Sequence, residues 1–192
     1  MEPTEEFYDR LTGIGVELTG TQPDRSADIE RTLIEATEYI EAERGRLIGL
    51  LASWIVVHGG LVNVTRLKRL LAEEKGGDRQ AIAALAYLAV ANGFHTWKPL
   101  CKKYSERALW GESILRALKF KKPQKEFKRA GLLFPEDFLR IRESDILGIE
   151  KLAKVHRLIH YRLLFGVNPR ADVAFYLSKT SEKKSTLQEL MK

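Results

Sequence analysis

The sequence has a single cysteine, Cys101, so no disulfide can form within the chain, and a reducing compartment fits. Six prolines and 14 glycines are too few for a low-complexity linker. No long hydrophobic run is present. The longest, Leu47 to Val57, is about half the length a membrane helix needs, so it reads as a buried helix and no membrane partner is expected. A basic, signal-like start is also missing, because Glu2, Glu5, Glu6 and Asp9 crowd the N-terminus. The expected location is cytoplasmic. No phosphate-binding glycine loop, dinucleotide fingerprint or serine elbow occurs, so neither an enzyme nor a cofactor is expected.

What is present is ordinary globular composition, 44% hydrophobic and 30% charged. A chain of 192 residues can bury a real core as one large domain or two small ones. The charge is unevenly spread. Residues 1–50 carry −7, while the remainder carries +13. Cys101 to Ala130 alone holds 10 basic and 3 acidic side chains. Such a body suits a polyanion, and nucleic acid is the commonest one. The bland reading is a solvated face that keeps the chain soluble.

Apolar periodicity predicts an all-α chain with at most one small β element. Residues 1–25 read as a weakly structured segment, with a short helix at 5–11 broken by Gly13, Gly15, Gly20 and Pro23. A helical domain follows at 26–130 and a C-terminal helical region at 131–192. Ile29, Leu33, Ala36 and Ile40 share a helix face after a cap at Ser26. Residues 46–58 form a core helix ended by Gly59-Gly60. Asn63 and Asp78 cap two more helices. An extended piece is expected at 94–97, a helix at 105–120, an irregular linker at 132–141 and a continuous helical run from 144 or 145 to 165. Asn168-Pro169 starts another helix. Ser185 to Gln188 reads as a capping box before the last one.

The order at 46–98 resembles the winged helix-turn-helix domain of prokaryotic transcriptional regulators. A buried helix ends at Gly59-Gly60, a helix runs from Val64, a turn falls at Gly76-Gly77, a helix runs from Asp78, and Asn92-Gly93-Phe94 leads into an extended piece. The resemblance implies a third helix that reads DNA and a wing after it. The chain departs from the pattern in that third helix, where Ala81, Ala83, Ala84, Ala86, Ala89 and Ala91 suit close packing better than base reading. Only Arg79, Gln80 and Tyr87 are placed there to reach DNA. Residues 157–192 resemble the opening of a second such domain and stop before its recognition helix. If the chain is truncated there, the likeness implies a dimerisation or effector module lacking part of its DNA reader. Alternatively, these helices belong to a different bundle.

The candidate phosphate contacts follow from the charge. Arg66, Lys68, Arg69 and Arg79 belong to the winged-helix-like unit, where the neutral Gln80 is a further candidate DNA contact. Lys98, Lys102, Lys103, Arg107, Arg116 and Lys119 interleave with Trp97, Tyr104, Trp110 and Phe120. Lys121, Lys122, Lys125, Lys128 and Arg129 complete the stretch around Phe127. The expected function is a nucleic-acid-associated regulator holding duplex DNA, as a homodimer. The rival is a protein-interaction module, adaptor or antitoxin-like, in which the same basics meet an acidic protein.

His156 and His160 have zinc-ligand spacing, but Arg157 stands where a zinc protease has its glutamate, so no metal is expected and the pair reads as phosphate contacts or plain surface histidines. His58 closes an apolar helix, where a protonated ring would complement the helix dipole. Lys102 and Lys103 beside Cys101 are placed to lower its pKa, although a lone cysteine with no assignable base reads as inert.

Overall fold

The computed structural model of the chain describes residues 2–43, 46–73 and 76–179. It is mostly helical with one two-stranded pair. The capping box expected at 185–188 and the helix expected after it lie outside the described residues.

Helix α1 (Glu5–Gly13) starts at Thr4, whose side chain accepts from the Phe7 N–H. It puts Phe7 and Leu11 into the core, followed by Ile14 and Val16. The N-terminal segment is therefore packed, not weakly structured. Trp54 fixes it by donating its indole N–H to Ile14 O at 2.8 Å. Helix α2 (Ile29–Glu38) is capped by Asp28 instead of Ser26. Its Ile29, Leu33 and Ala36 are buried, as the periodicity predicts.

Helices α3 (Arg46–His58), α4 (Val64–Glu73) and α5 (Arg79–Ala91) follow the expected order. Helix α5 packs on α3, and α2 packs on both α3 and α4. Ala81, Ala83, Ala84, Ala86 and Ala89 of α5 are all buried, so this helix is a packing element. The piece after it is a 3-10 helix (His95–Leu100) rather than an extended wing. Gly59 and Gly60 lie against the Phe94 ring, and Trp97 donates to Gly59 O at 2.9 Å. Those contacts fold the segment back onto the end of α3.

Beyond residue 105 the expected long helix is broken. Strand β1 (Arg107–Ala108) pairs in parallel with β2 (Leu132–Leu133), Arg107 opposite Leu132. A parallel pair needs a crossover. Here it contains α6 (Glu112–Ala117) and α7 (Lys125–Arg129). Trp110 and Gly111 both have positive φ, 57° and 55°, which no helix accommodates. The expected linker at 132–141 thus contains a strand and a 3-10 turn at Glu136–Phe138.

The C-terminal run is also divided. Helix α8 (Ile149–Val155) ends at His156, which sits at φ −111° and ψ 107° and caps α9 (Arg157–Phe165). Helix α10 (Pro169–Lys179) begins where Asn168-Pro169 predicts. One buried cluster extends from Phe7 to Ile159, across the boundaries expected at 25 and 130. Among the described residues no single helix is long and apolar enough to cross a membrane.

A buried ion network joins residues far apart in the sequence. Arg162 donates to both Glu30 carboxylate oxygens (2.7 and 3.0 Å), to Asp172 (2.8 Å) and to Leu61 O (2.7 Å). Arg66 approaches the same Glu30 at 2.6 Å and forks onto Asp28. Helices α2, α4, α9 and α10 meet there.

Candidate nucleic-acid interface

Three of the expected DNA contacts are committed inside the fold. Arg66 is held by Asp28 and Glu30. Burial alone would lower its pKa, but these two carboxylates push it up. Burial would likewise raise Asp28, and Arg66 holds it below the usual carboxylate range instead. Gln80 is buried, donating to Ser105 O and Ala130 O and accepting from Arg107 Nε at 2.8 Å. Arg107 reaches Gln80 because β1 pairs with β2, and it also bridges to Asp78 and Glu41. These side chains join α5 to the crossover. The expectation that Gln80 reaches DNA is corrected, because a helix capped at Asp78 turns that position inward.

Others are brought together. Helix α4 turns Leu67, Leu70 and Leu71 inward, which leaves Lys68 and Arg69 in solvent. Arg69 lies 3.8 Å from Glu73, one turn on. Lys68, Arg79 and Lys102 line one small cavity of about 170 Å³, with Leu100 and Tyr104 in its wall. Arg79 is anchored there by its own bond to Leu71 O at 2.9 Å. Tyr104 is fixed by its N–H to Ala130 O at 3.1 Å, which brings the end of α7 alongside. From that end Arg129 lies over the Tyr87 ring, 4.5 Å from its centroid.

Comparison with protein-family models, with curated proteins and with solved structures finds no match.

Lys98, Lys103, Lys125 and Lys128 are exposed on the segments that flank α5. Arg116, Lys119 and Lys122 are exposed on and after α6. Lys121 pairs with Asp137 at 2.9 Å and caps the Phe138 ring. The basic stretch is therefore divided between the α5 flank and the α6 segment. Its aromatics divide too: Trp97 and Phe127 are core, while Phe120 is 88% exposed. Sequence reasoning missed Arg140 and Arg142, which lie outside the dense basic stretch, Arg140 in the expected linker and Arg142 just after it.

The remaining candidates resolve structurally. Burial raises the Cys101 thiol, and nearby Arg129 only partly opposes that, so the expected lowering is corrected. Among the described residues no group of three metal-ligating side chains occurs. His160 is exposed, whereas His156 is fully buried. His156 Nε2–H donates to Ala27 O at 2.9 Å, and Nδ1 accepts from the Ile159 N–H. His58 is also buried, and its Nε2–H donates to Leu147 O at 2.8 Å. Burial lowers the pKa of both rings, so His58 is held neutral rather than as the expected cation.

A pH dependence follows. The unfolded rings take up protons at a higher pH, near 6.5, than the folded ones. Their contribution to stability is full above that value and is lost as pH falls toward the folded pKa values. Thermal melts should therefore show Tm falling as pH drops below about 6.5, with a shallower fall in His156→Asn. An unchanged slope in that variant would show that His156 is not buried as a neutral ring.

Proposed function

We propose that this is a nucleic-acid-associated regulatory protein that grips duplex DNA by its phosphates. The observation that supports it is the convergence of Lys68, Arg79 and Lys102 on one cavity, with Arg129 on the adjoining α7 end. These three side chains come from α4, the start of α5 and the loop after the 3-10 helix, so their meeting is a property of the fold. In this reading α3, α4 and α5 form a three-helix unit without a wing, whose third helix packs instead of reading bases. Contacts from its flanks position a duplex without specifying sequence.

The test is retention of a duplex as salt rises. Binding should be clear at about 50 mM salt and fall steeply by about 200 mM. Lys68→Ala with Lys102→Ala should reduce the slope of log affinity against log salt by about 2, since each phosphate contact contributes about 0.9. No retention at the low salt overturns the reading.

One observation favours the protein-interaction reading. Leu163, Leu164 and Phe165 at the end of α9 are 51%, 63% and 50% exposed, an apolar run unusual on a free surface. A chain that fails to retain duplex but sediments as a dimer would support that reading instead.

A further inference from the structure

A cavity of about 890 Å³ opens between α3, the start of α6 and the segment 134–145. It shares no lining residue with the Lys68–Lys102 cavity. Its wall is built on two small residues one helical turn apart. At Gly49 a Cβ would lie 3.1 Å from Arg140 O, so only glycine lets that backbone sit at this distance without displacement. Ser53 accepts from the Arg142 N–H at 2.8 Å and donates to Gly49 O at 2.8 Å. The segment 140–142 is thereby held on α3, and Arg140 and Arg142 line the cavity beside Arg46. None of these three arginines makes an ion pair among the described residues.

The cavity also has an aromatic wall. Phe134 meets Trp110 edge-on at 5.6 Å and Phe138 at 6.2 Å. Trp110 holds φ at 57°, an outlier for a bulky residue. Its indole N–H is anchored on Glu41 O at 2.9 Å. Backbone strain kept in a cavity wall is characteristic of ligand clamps. Glu17 and Asp145 also line the cavity, while Asp137 is already taken by Lys121.

Each part limits the ligand. Guanidinium forks match phosphate and carboxylate oxygens. Partly exposed aromatics stack planar rings. Two carboxylates repel an extended polyanion and accept from hydroxyl or amino groups. The volume is that of a site for a small molecule. We propose that this cavity binds a small ring-bearing anion of nucleoside monophosphate chemistry. The phosphate meets Arg140 and Arg142, the ring lies on Trp110 and Phe138, and the sugar hydroxyls face Glu17 and Asp145. This site does not depend on the duplex reading.

The test uses AMP, GMP, CMP and UMP as probes in calorimetry, with Trp110 fluorescence as a second readout. At least one should bind saturably with a Kd below about 1 mM. Adenosine and inorganic phosphate, each lacking one half of the ligand, should bind at least about tenfold more weakly than AMP or the best probe. Arg140→Gln with Arg142→Gln should weaken binding by a similar factor, while near-ultraviolet dichroism reports an intact fold. Lys68→Ala with Lys102→Ala should leave it unchanged. Saturable binding that Arg140→Gln with Arg142→Gln leaves intact overturns the site. So does inorganic phosphate binding as well as the nucleotide, or no saturable binding by any of the four.

Discussion

Glu30→Ala is expected to cost about 3–5 kcal/mol of folding stability, read as a lower urea midpoint at unchanged slope. Glu30 has no exposed surface, and neither does the Arg162 side chain it holds. Its two oxygens receive Arg162, Arg66 and the Asn63 backbone N–H. Removing it leaves Arg162 buried with only Asp172 to balance it, and Arg162 Nε already has no partner. A buried guanidinium without its carboxylate cannot recover water without opening the α2–α9 contact. The exposed pair Arg69–Glu73 supplies the contrast, since Glu73→Ala should change stability by less than about 1 kcal/mol. If both substitutions cost the same, the network is hydrated and contributes no more than a surface pair.

The same network shows where sequence reading stops. Several local signals hold: Asp78 caps α5, Asn168 caps α10, Gly93 follows α5 with positive φ, and the apolar faces of α2 to α5 point inward, although Asp28 and not Ser26 caps α2. Each of these depends on neighbours within a few residues. Glu30 and Arg162 are 132 positions apart, and no spacing rule links them. From sequence alone Arg66 therefore reads as a surface cation. The helix expected at 105–120 failed for a related reason. Its apolar spacing is helical, but the β1–β2 pairing and the Trp110 anchor on Glu41 determine the backbone there. His156 splits the run from 144 to 165 because burying its ring against Ala27 requires an extended backbone at that residue. The candidate interface was legible as charge. Which of its members were already engaged was not, because each partner is set by tertiary contact.

Gly131→Ala should destabilise by about 3 kcal/mol or more, against about 1 kcal/mol for Gly93→Ala. Both glycines sit in the left-handed region, at 84° and 90°, so the conformational cost is shared. They differ in surroundings. A Cβ at Gly93 meets nothing within 4 Å. At Gly131 it would lie 2.4 Å from Tyr104 O and 3.1 Å from both Gln80 Nε2 and Ser105 O. Two of these are backbone oxygens, so the loop 104–105 must move as a unit. That motion breaks the Tyr104 and Arg107 N–H bonds to Ala130 and Gly131 and the Gln80 bond to Ser105. Lys102 precedes this loop by two residues, so the strain reaches the proposed phosphate contacts. Gly131→Ala should thus weaken duplex retention even in its folded fraction, while Gly93→Ala should not. Equal stability losses would show that the loop yields freely and that Gly131 does not hold Lys102 in place.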